Sequence, residues 1–346
     1  MTLLRGKTEK ETGKQAPALY LDLLKVLGAV SIVALHTLSL TISRAAYLPD
    51  SWWSTKHILH QFFYVAVPVF VLATGAGFFS AGKERTYRNM WPYILKMMLC
   101  ILVFGTAYSL GDQFLKTGGM DPMTVLWDVL SDRSSSHLWY LYRLLGIYLC
   151  MPLFSVFFRN AARKESLIFT LILLLFTCVL PYFVGFVEAW TWVDVLPVTS
   201  VWVFYVFAGA LLENADNETL LKSGWVWIPA AVIGGFWIYS EAALGISPSE
   251  NHPGVVLLAL SIFAGGKILC RDRTSGMILR QAAACSLGVY IIHPVFLHVI
   301  LKLLPDNPWY MNRFTVLPLM MAAGYGAALL TSYLLRLIPG VKKYLL

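Results

Sequence analysis

The sequence predicts an all-α, polytopic membrane protein: a helical bundle of about ten transmembrane helices with both termini in the cytoplasm. Of the 346 residues, 58% are hydrophobic and only 13% are charged, which lies outside the range of soluble domains. Apolar runs of about 20 residues, the length that crosses a bilayer, recur along the whole chain. The net charge of +8 fits cytoplasmic loops rich in Lys and Arg, and no basic stripe with interleaved aromatic residues predicts a nucleic-acid partner.

Ten segments are long and apolar enough to be spans. Short polar connectors containing Pro, Gly, Asn, Asp and Ser separate them, and none of these connectors is long enough to form a second domain. We therefore expect a polar cytoplasmic tail at 1–17 and a single transmembrane domain at 18–346. The predicted spans are 20–40, 58–79, 91–110, 138–158, 167–186, 195–212, 225–243, 253–270, 282–304 and 314–338.

The distribution of basic residues predicts the orientation. Alternate connectors, with the N-terminal tail, carry sixteen Lys and Arg on one side and five on the other. The positive-inside rule places the richer side, with both termini, in the cytoplasm. The five cysteines all lie inside predicted helices without CxxC spacing, so they indicate packing residues rather than a disulfide framework or a metal site.

One face of the first span carries three ionisable residues. Lys25 and His36 are eleven positions apart, about three helical turns, so their side chains share a face roughly 16 Å apart. Asp22 lies about one turn before Lys25 on the same face. Ionisable groups in hydrocarbon cost about 2.5 to 3.5 kcal/mol each, so we expect this face to line a protein interior. A snorkelling Lys25 and an interhelical hydrogen bond from His36 are the alternatives.

The connector before the third span is a candidate phosphate site. Arg85 and Arg88 stand three residues apart at the mouth of a helix, where they share one face. Guanidinium groups hold phosphate with planar, bidentate donors. The alternative is that both arginines are ordinary cytoplasmic charges.

Arg143 is unusual because it stands inside the fourth span, close to Trp139 and Tyr140. A buried guanidinium keeps its proton, so it needs a carboxylate, carbonyls or a polar cavity. A structural ion pair between helices is the alternative to a functional site. The acidic residues at a similar predicted depth are Asp112, Glu188 and Asp194.

The ninth span contains a histidine and a proline at its midpoint. Pro294 removes one backbone donor and is predicted to kink the helix near Tyr290. Such a break places His293 in a candidate site, although prolines also occur in spans as packing features.

Six segments, in chain order, resemble the signatures of the acyltransferase family 3 membrane proteins. The similarity extends from residue 20 to about residue 300, and ten spans with cytoplasmic termini is the usual plan of that family. Each motif alone is weakly specific, whereas the ordered set is fairly specific. The motifs are YLDLLK at 20–25, LH at 35–36, VPVFVLATG at 67–75, RTYR at 85–88, LWYLY at 138–142 and LGVYIIHP at 287–294.

The resemblance implies transfer of an acyl group, usually acetyl from acetyl-CoA, to a hydroxyl of an envelope glycan, its lipid-linked precursor or a similar acceptor. It places His36 at the essential histidine of the family and Lys25 at the position of an arginine. Arg85 and Arg88 match an arginine pair expected near the coenzyme A phosphates. Lys25 is a departure because lysine keeps the charge and loses the bidentate fork. Thr74 stands where the family has serine, and retains a hydroxyl.

The chemistry of the residues agrees with that implication. Acyl transfer needs a base for the attacking hydroxyl, and a neutral imidazole suits the task. Asp22 and Lys25 are too far from His36 to form a triad with it, so we interpret them as a structural and donor-binding pair. His36 is then the reactive group, acting either as base or as transient acyl carrier. The residues expected to line the acceptor cavity are Trp139, Tyr140, Arg143 and His293.

The expected partners are acyl-CoA as donor, a glycan or lipid-linked sugar as acceptor, and the bilayer of the inner membrane, without a metal. Two other classes stay open: a transporter or flippase for a lipid-linked sugar, and a non-catalytic sensory membrane domain. The sequence does not specify the acceptor, the acyl chain or the oligomeric state.

Overall fold

The structure is a computed structural model that describes residues 18–43, 50–80, 84–184, 200–270, 273–303 and 316–346. The predicted polar tail at 1–17 lies outside these residues. The described part of the chain is helical, and its one β-bridge joins Ala18 to Thr274. The prediction of an all-α, multi-pass membrane protein is therefore confirmed.

Each predicted span contains a helix, and eight helical segments are long and apolar enough to cross a membrane. The helices at 201–214 and 253–269 are apolar but shorter. A 3-10 turn (Phe63–Val65) joins α2 to α3, and a π-helical turn (Leu175–Val179) joins α7 to α8. The helices are α1 (Leu19–Ile42), α2 (Asp50–Phe62), α3 (Ala66–Phe79), α4 (Tyr87–Thr117), α5 (Pro122–Leu130), α6 (Trp139–Asn160), α7 (Arg163–Leu174), α8 (Leu180–Val184), α9 (Val201–Asn214), α10 (Asn217–Lys222), α11 (Gly224–Ala243), α12 (Pro253–Leu269), α13 (Met277–Leu303), α14 (Val316–Arg336) and α15 (Pro339–Tyr344).

Helix ends follow capping chemistry rather than hydropathy. The third predicted span, 91–110, extends in the structure to the whole of α4, which ends where Gly118 adopts a left-handed conformation with φ of 70°. The short helix α5 begins after Asp121, whose carboxylate accepts the backbone N–H groups of Met123 and Thr124. A count of apolar residues does not register either signal.

Contacts divide the chain into two compact units. Unit 1 comprises residues 1–83 and 160–329, and unit 2 comprises 84–159 and 330–346. The single transmembrane domain expected at 18–346 stays a prediction.

In unit 1, α3 and α9 cross at backbone contact. A Cβ atom built on Gly75 would lie 2.1 Å from the carbonyl oxygen of Val206. A Cβ on Gly209 would lie 2.1 Å from the carbonyl oxygen of Leu72. Real side chains do not reach such distances, so only glycine fits at either position.

A core of small and branched side chains joins α1, α13 and α14 within unit 1. Ala29 and Val33 of α1 pack with Val289 and Leu297 of α13 and with Ala328 of α14. Because small residues let backbones approach closely in membrane proteins, α1 and α13 lie side by side along this core. This packing positions the histidines of the candidate site.

In unit 2, α5 packs Val125 and Val129 inward, and both side chains are buried. Asp128 accepts a hydrogen bond from Ser109 of α4 at 2.6 Å. These contacts hold α5 against α4, so the connector after the third span is an ordered helix.

Candidate active site

The imidazole rings of His36 and His293 are in contact inside unit 1. Their centroids lie 5.0 Å apart with the ring planes tilted by 47°. His36 comes from α1, and His293, which is fully buried, comes from α13. The structure thus brings together two histidines that the sequence placed in separate motifs.

Pro294 explains how the ring of His293 is held. A proline has no N–H to donate to the carbonyl four residues earlier, which here is that of Tyr290. Nδ1 of His293 lies 2.8 Å from the Tyr290 oxygen and 3.0 Å from the Val289 oxygen. Because carbonyls only accept, Nδ1 carries the proton and donates to the carbonyl that Pro294 leaves unfilled. Helix α13 is continuous through Pro294, so this site is not a break between two helices.

Two further histidines lie near His36, and sequence reasoning gave neither a role. His60 on α2 and His298 on α13 both lie within the range of electrostatic interaction with His36. Nε2 of His60 lies 2.7 Å from Oγ of Ser39, one turn beyond His36 on α1. The sequence contains a signal for His60. His57 and Gln61 are four residues apart, as are His60 and Tyr64, and this spacing places each pair on one helix face.

Asp22 and Lys25 lie together at the predicted cytoplasmic end of α1. Asp22 is buried, and its carboxylate accepts a hydrogen bond from Ser275 at 2.6 Å. Nζ of Lys25 lies 3.7 Å from the other carboxylate oxygen, and its side chain is 42% exposed. The Lys25 carbonyl accepts a hydrogen bond from Ser286 at 3.2 Å. The pair therefore also fastens α1 to the start of α13, and Lys25 is half-exposed rather than enclosed.

The distance along α1 separates this pair from the histidines. Since α1 is continuous, Lys25 and His36 are about 16 Å apart along its axis. No direct contact joins the two groups, as the sequence predicts.

Near this end of α1, a cluster of polar side chains caps the C-terminal end of α9. The Tyr20 hydroxyl donates to the carboxylate of Glu213, whose other neighbour is Lys267 on α12. Nζ of Lys267 donates to the carbonyls of Leu212 at 2.8 Å and Ala215 at 3.2 Å. A cation at carbonyls left open by a helix end is a stabilising cap. Lys267 thus has a structural role.

The hydroxyl of Thr74 is used within its own helix. Its Oγ1 donates to the Phe70 carbonyl at 2.8 Å, and the neighbouring Gly75 makes the backbone contact with α9. This motif therefore serves helix packing in the described structure.

Arg85 and Arg88 lie in unit 2 at the start of α4. Since α4 begins at Tyr87, Arg85 precedes the helix and Arg88 lies in its first turn, so they do not share a helix face as predicted. The backbone N–H of Arg85 donates to Ser155 at 2.9 Å, which fixes the segment, and Arg88 is exposed. The first N–H groups of a helix attract anions and guanidinium groups bind phosphate, and the phosphate site at these two arginines stays a prediction.

Trp139, Tyr140 and Arg143 also belong to unit 2, near the start of α6. Tyr140 is buried, whereas Arg143 is exposed in the chain, so the expectation of an enclosed guanidinium is wrong for this residue. Of its expected partners, Asp112 pairs with Lys116, and residues 188 and 194 lie outside the described residues. The carboxyl that Arg143 influences is Asp132: burial raises the pKa of Asp132, and the charge of Arg143 opposes that rise.

A second polar cluster, missed from the sequence, lies at the predicted outer end of unit 1. Oε2 of Glu241 lies 3.0 Å from Nε2 of His252, and Tyr182 and Trp237 donate to the other carboxylate oxygen. Nδ1 of His252 accepts the N–H of Gly254 at 3.0 Å and so caps α12. Burial lowers the pKa of His252, although Glu241 opposes that shift. The cluster connects the ends of α11 and α12.

Comparison with known proteins identifies the family of the chain. A family model described as an acyltransferase domain matches residues 18–337, nearly the whole chain. Together with the membrane-spanning helices, this match defines a multi-pass membrane acyltransferase. The chain belongs to acyltransferase family 3, which confirms the family predicted from its motifs. No curated protein and no solved structure matches it in the same comparisons.

Proposed function

We propose that this membrane acyltransferase transfers an acetyl group from acetyl-CoA to a hydroxyl of an envelope glycan, a lipid-linked sugar or a similar acceptor, in the cytoplasmic membrane. The observation that carries the proposal is the contact between His36 and His293 inside a membrane-spanning unit. Placing an ionisable side chain inside a membrane costs free energy, so such residues mark functional sites.

His36 is the base in this proposal. It takes the proton of the acceptor hydroxyl as that oxygen attacks the thioester carbonyl, which requires a neutral imidazole. His293 positions His36, because its own ring is held by the Tyr290 carbonyl. A transient acyl-histidine on His36 is the other route by which the same residue could act.

The donor is held by cations on the predicted cytoplasmic side. Arg85 and Arg88 bind the coenzyme A phosphates at the start of α4, and Lys25 adds a half-exposed charge at the start of α1. Asp22 fixes Lys25 and is itself fixed by Ser275. Trp139, Tyr140 and Arg143 are proposed to contact the acceptor.

The test uses the purified full-length protein in detergent with acetyl-CoA. Release of CoA is followed with and without glycan and lipid-linked sugar acceptors, and the acetylated product is identified by mass. We expect release that depends on an acceptor and is lost in His36→Ala. Acceptor uptake into vesicles without CoA release would instead support a transporter or flippase, and binding without either would support a sensory domain.

A further inference from the structure

The proposed reaction leaves a proton on His36 that has to depart before the next turnover. When the acceptor oxygen attacks, a C–O bond forms, the C–S bond breaks, and CoA leaves as a thiolate with the bonding electron pair. The hydroxyl proton goes to His36, and the thiolate takes a proton from water on the donor side. A base inside a membrane unit therefore needs a path by which its proton reaches water.

Such a path begins one turn beyond His36 on α1. Oγ of Ser39 lies 2.7 Å from Nε2 of His60 on α2. Ser39 lies three residues after His36 on α1, so the two side chains are neighbours on one helix face, and His60 is half-buried. Hydroxyl and imidazole groups both donate and accept hydrogen bonds, so they can pass a proton along.

The polar contacts continue from His60 to the loop between α11 and α12. The amide nitrogen of Gln61 lies 3.4 Å from Nδ1 of His60 and 3.4 Å from Oγ of Ser247. Ser247 is exposed and lies at the predicted outer end of unit 1. An amide nitrogen only donates, so Gln61 holds Nδ1 of His60 and Oγ of Ser247 together without carrying the proton itself. The proton has to pass from the half-buried ring of His60 to water beside the exposed Ser247.

Other ionisable groups lie near this path on α2, in the loop after α11 and on α13. His57 interacts electrostatically with His60, and Glu250 does so with Tyr64. The ring of Tyr64 lies 5.3 Å from the ring of His60. His60 is distinguished among them because it is hydrogen-bonded to Ser39 and also adjoins Gln61. The groups are Lys56 and His57 on α2, Tyr64 in the 3-10 turn that follows it, Glu250 in the loop, and His293 and His298 on α13.

We propose that Ser39 and His60 form a proton exit from His36 to the predicted outer face, so that each turnover releases a proton there. The inference rests on the proposed function of His36 as the base. It assigns His60 a proton-transfer role that needs no contact with donor or acceptor.

Turnover of the purified protein in weak buffer tests the exit. His60→Ala should lower kcat by roughly tenfold or more while leaving KM for acetyl-CoA unchanged. Added imidazole should restore kcat in a concentration-dependent manner, because it enters the space and carries the proton. Ser39→Ala should lower kcat by a smaller factor. A purely structural role of His60 would not produce rescue by imidazole.

Two matched variants sharpen the result. His60→Gln keeps a side chain that can hydrogen-bond to Ser39 but has no titratable proton, so it should be slow and stably folded. His298→Ala removes a histidine that also acts on His36, but whose Nδ1 donates to the carbonyl of Pro294. We expect wild-type kcat and no imidazole dependence for His298→Ala.

Sealed vesicles add a second readout. During wild-type turnover, a pH dye on the acceptor side should report acidification and one on the CoA side should report alkalinisation, one proton per ester formed. Three results would overturn the proton exit. The first is a normal kcat in both His60 variants, and the second is a low kcat in His60→Ala that imidazole does not restore. The third is a low kcat in His298→Ala that imidazole does restore. An inactive wild-type protein would overturn the proposed function. An active wild-type protein whose His60 variants have an unchanged kcat would overturn the proton exit alone.

Discussion

The ring of His293 meets that of His36 in an orientation set by a missing backbone hydrogen bond. Pro294 leaves the Tyr290 carbonyl without its helical donor, and Nδ1 of His293 takes that place at 2.8 Å. The rings then lie 5.0 Å apart. A sequence feature that breaks helices in general here fixes a side chain at the candidate active site.

His36→Ala should abolish transfer without unfolding the protein. Loss of a general base lowers kcat by about 100-fold or more, while the affinity for CoA should stay within error because the proposed donor cations lie elsewhere. Steady-state kinetics and CoA binding by calorimetry measure the two effects. Near-normal turnover would make His36 a packing residue and move the catalytic assignment to His293.

Pro294→Ala should separate stability from turnover. The restored N–H competes with His293 for the Tyr290 carbonyl, so the ring loses its fixed orientation and kcat should fall several-fold. Removing a proline from a helix interior should at the same time raise Tm. Pro229→Ala in α11 is the matched control, and it should leave kcat unchanged. Unchanged turnover in Pro294→Ala would show that the orientation of His293 does not matter.

Lys25→Ala should weaken transfer and donor binding together, whereas Lys25→Arg should be better tolerated because the charge persists. The effect on KM should exceed the effect on kcat, since Lys25 lies about 16 Å from His36 along α1. Kinetics with acetyl-CoA as the varied substrate measure this ratio. A selective loss of kcat would contradict a donor-side role.

Arg85→Ala and Arg88→Ala should each weaken acyl-CoA binding. If bidentate binding of phosphate matters at one of the two positions, lysine should restore binding only at the other. The lysine ammonium is a point charge and lacks the bidentate fork of the guanidinium group. Arg159→Ala serves as a control, since that arginine pairs with Glu84 in the same unit. Unchanged donor affinity in the double alanine variant would return both residues to ordinary cytoplasmic charge.

His252 should make stability depend on pH. Burial lowers its pKa in the folded protein below the unfolded value of about 6.5, so the unfolded chain binds more protons as pH falls. The stabilisation is present above pH of about 6.5 and is lost on acidification toward the folded pKa. His252→Asn keeps a capping acceptor for Gly254 and removes the titration. Its Tm should therefore fall less than that of wild type between about pH 7.5 and 5, and equal falls would refute the assignment.

Much of the fold was predictable because bilayer thickness imposes a length that the apolar runs record directly. All ten spans contain helices, and the errors lie at the ends, as in α4, where Gly118 and not hydropathy ends the helix. Hydropathy also could not divide the contacts into two units, since that division depends on which helices pack together.

The candidate site was only partly predictable for the same reason. The spacing from Lys25 to His36 follows from helical geometry, so it could be derived from one segment. The meeting of His36 with His293, and of Ser39 with His60, depends on pairs of helices distant in sequence. The prediction of a buried Arg143 was wrong because a position inside a span indicates only the depth of the residue in the membrane. It does not indicate whether the side chain faces the protein interior.

The glycine crossing of α3 and α9 has a consequence for genetics. Because Gly75 faces the backbone of Val206, and Gly209 faces that of Leu72, a methyl group at either glycine cannot be accommodated by shortening an opposing side chain. A defect from Gly75→Ala would have no compensating substitution at the point of contact. Suppressors of such a defect should arise at a distance, among residues that set the spacing of the two helices.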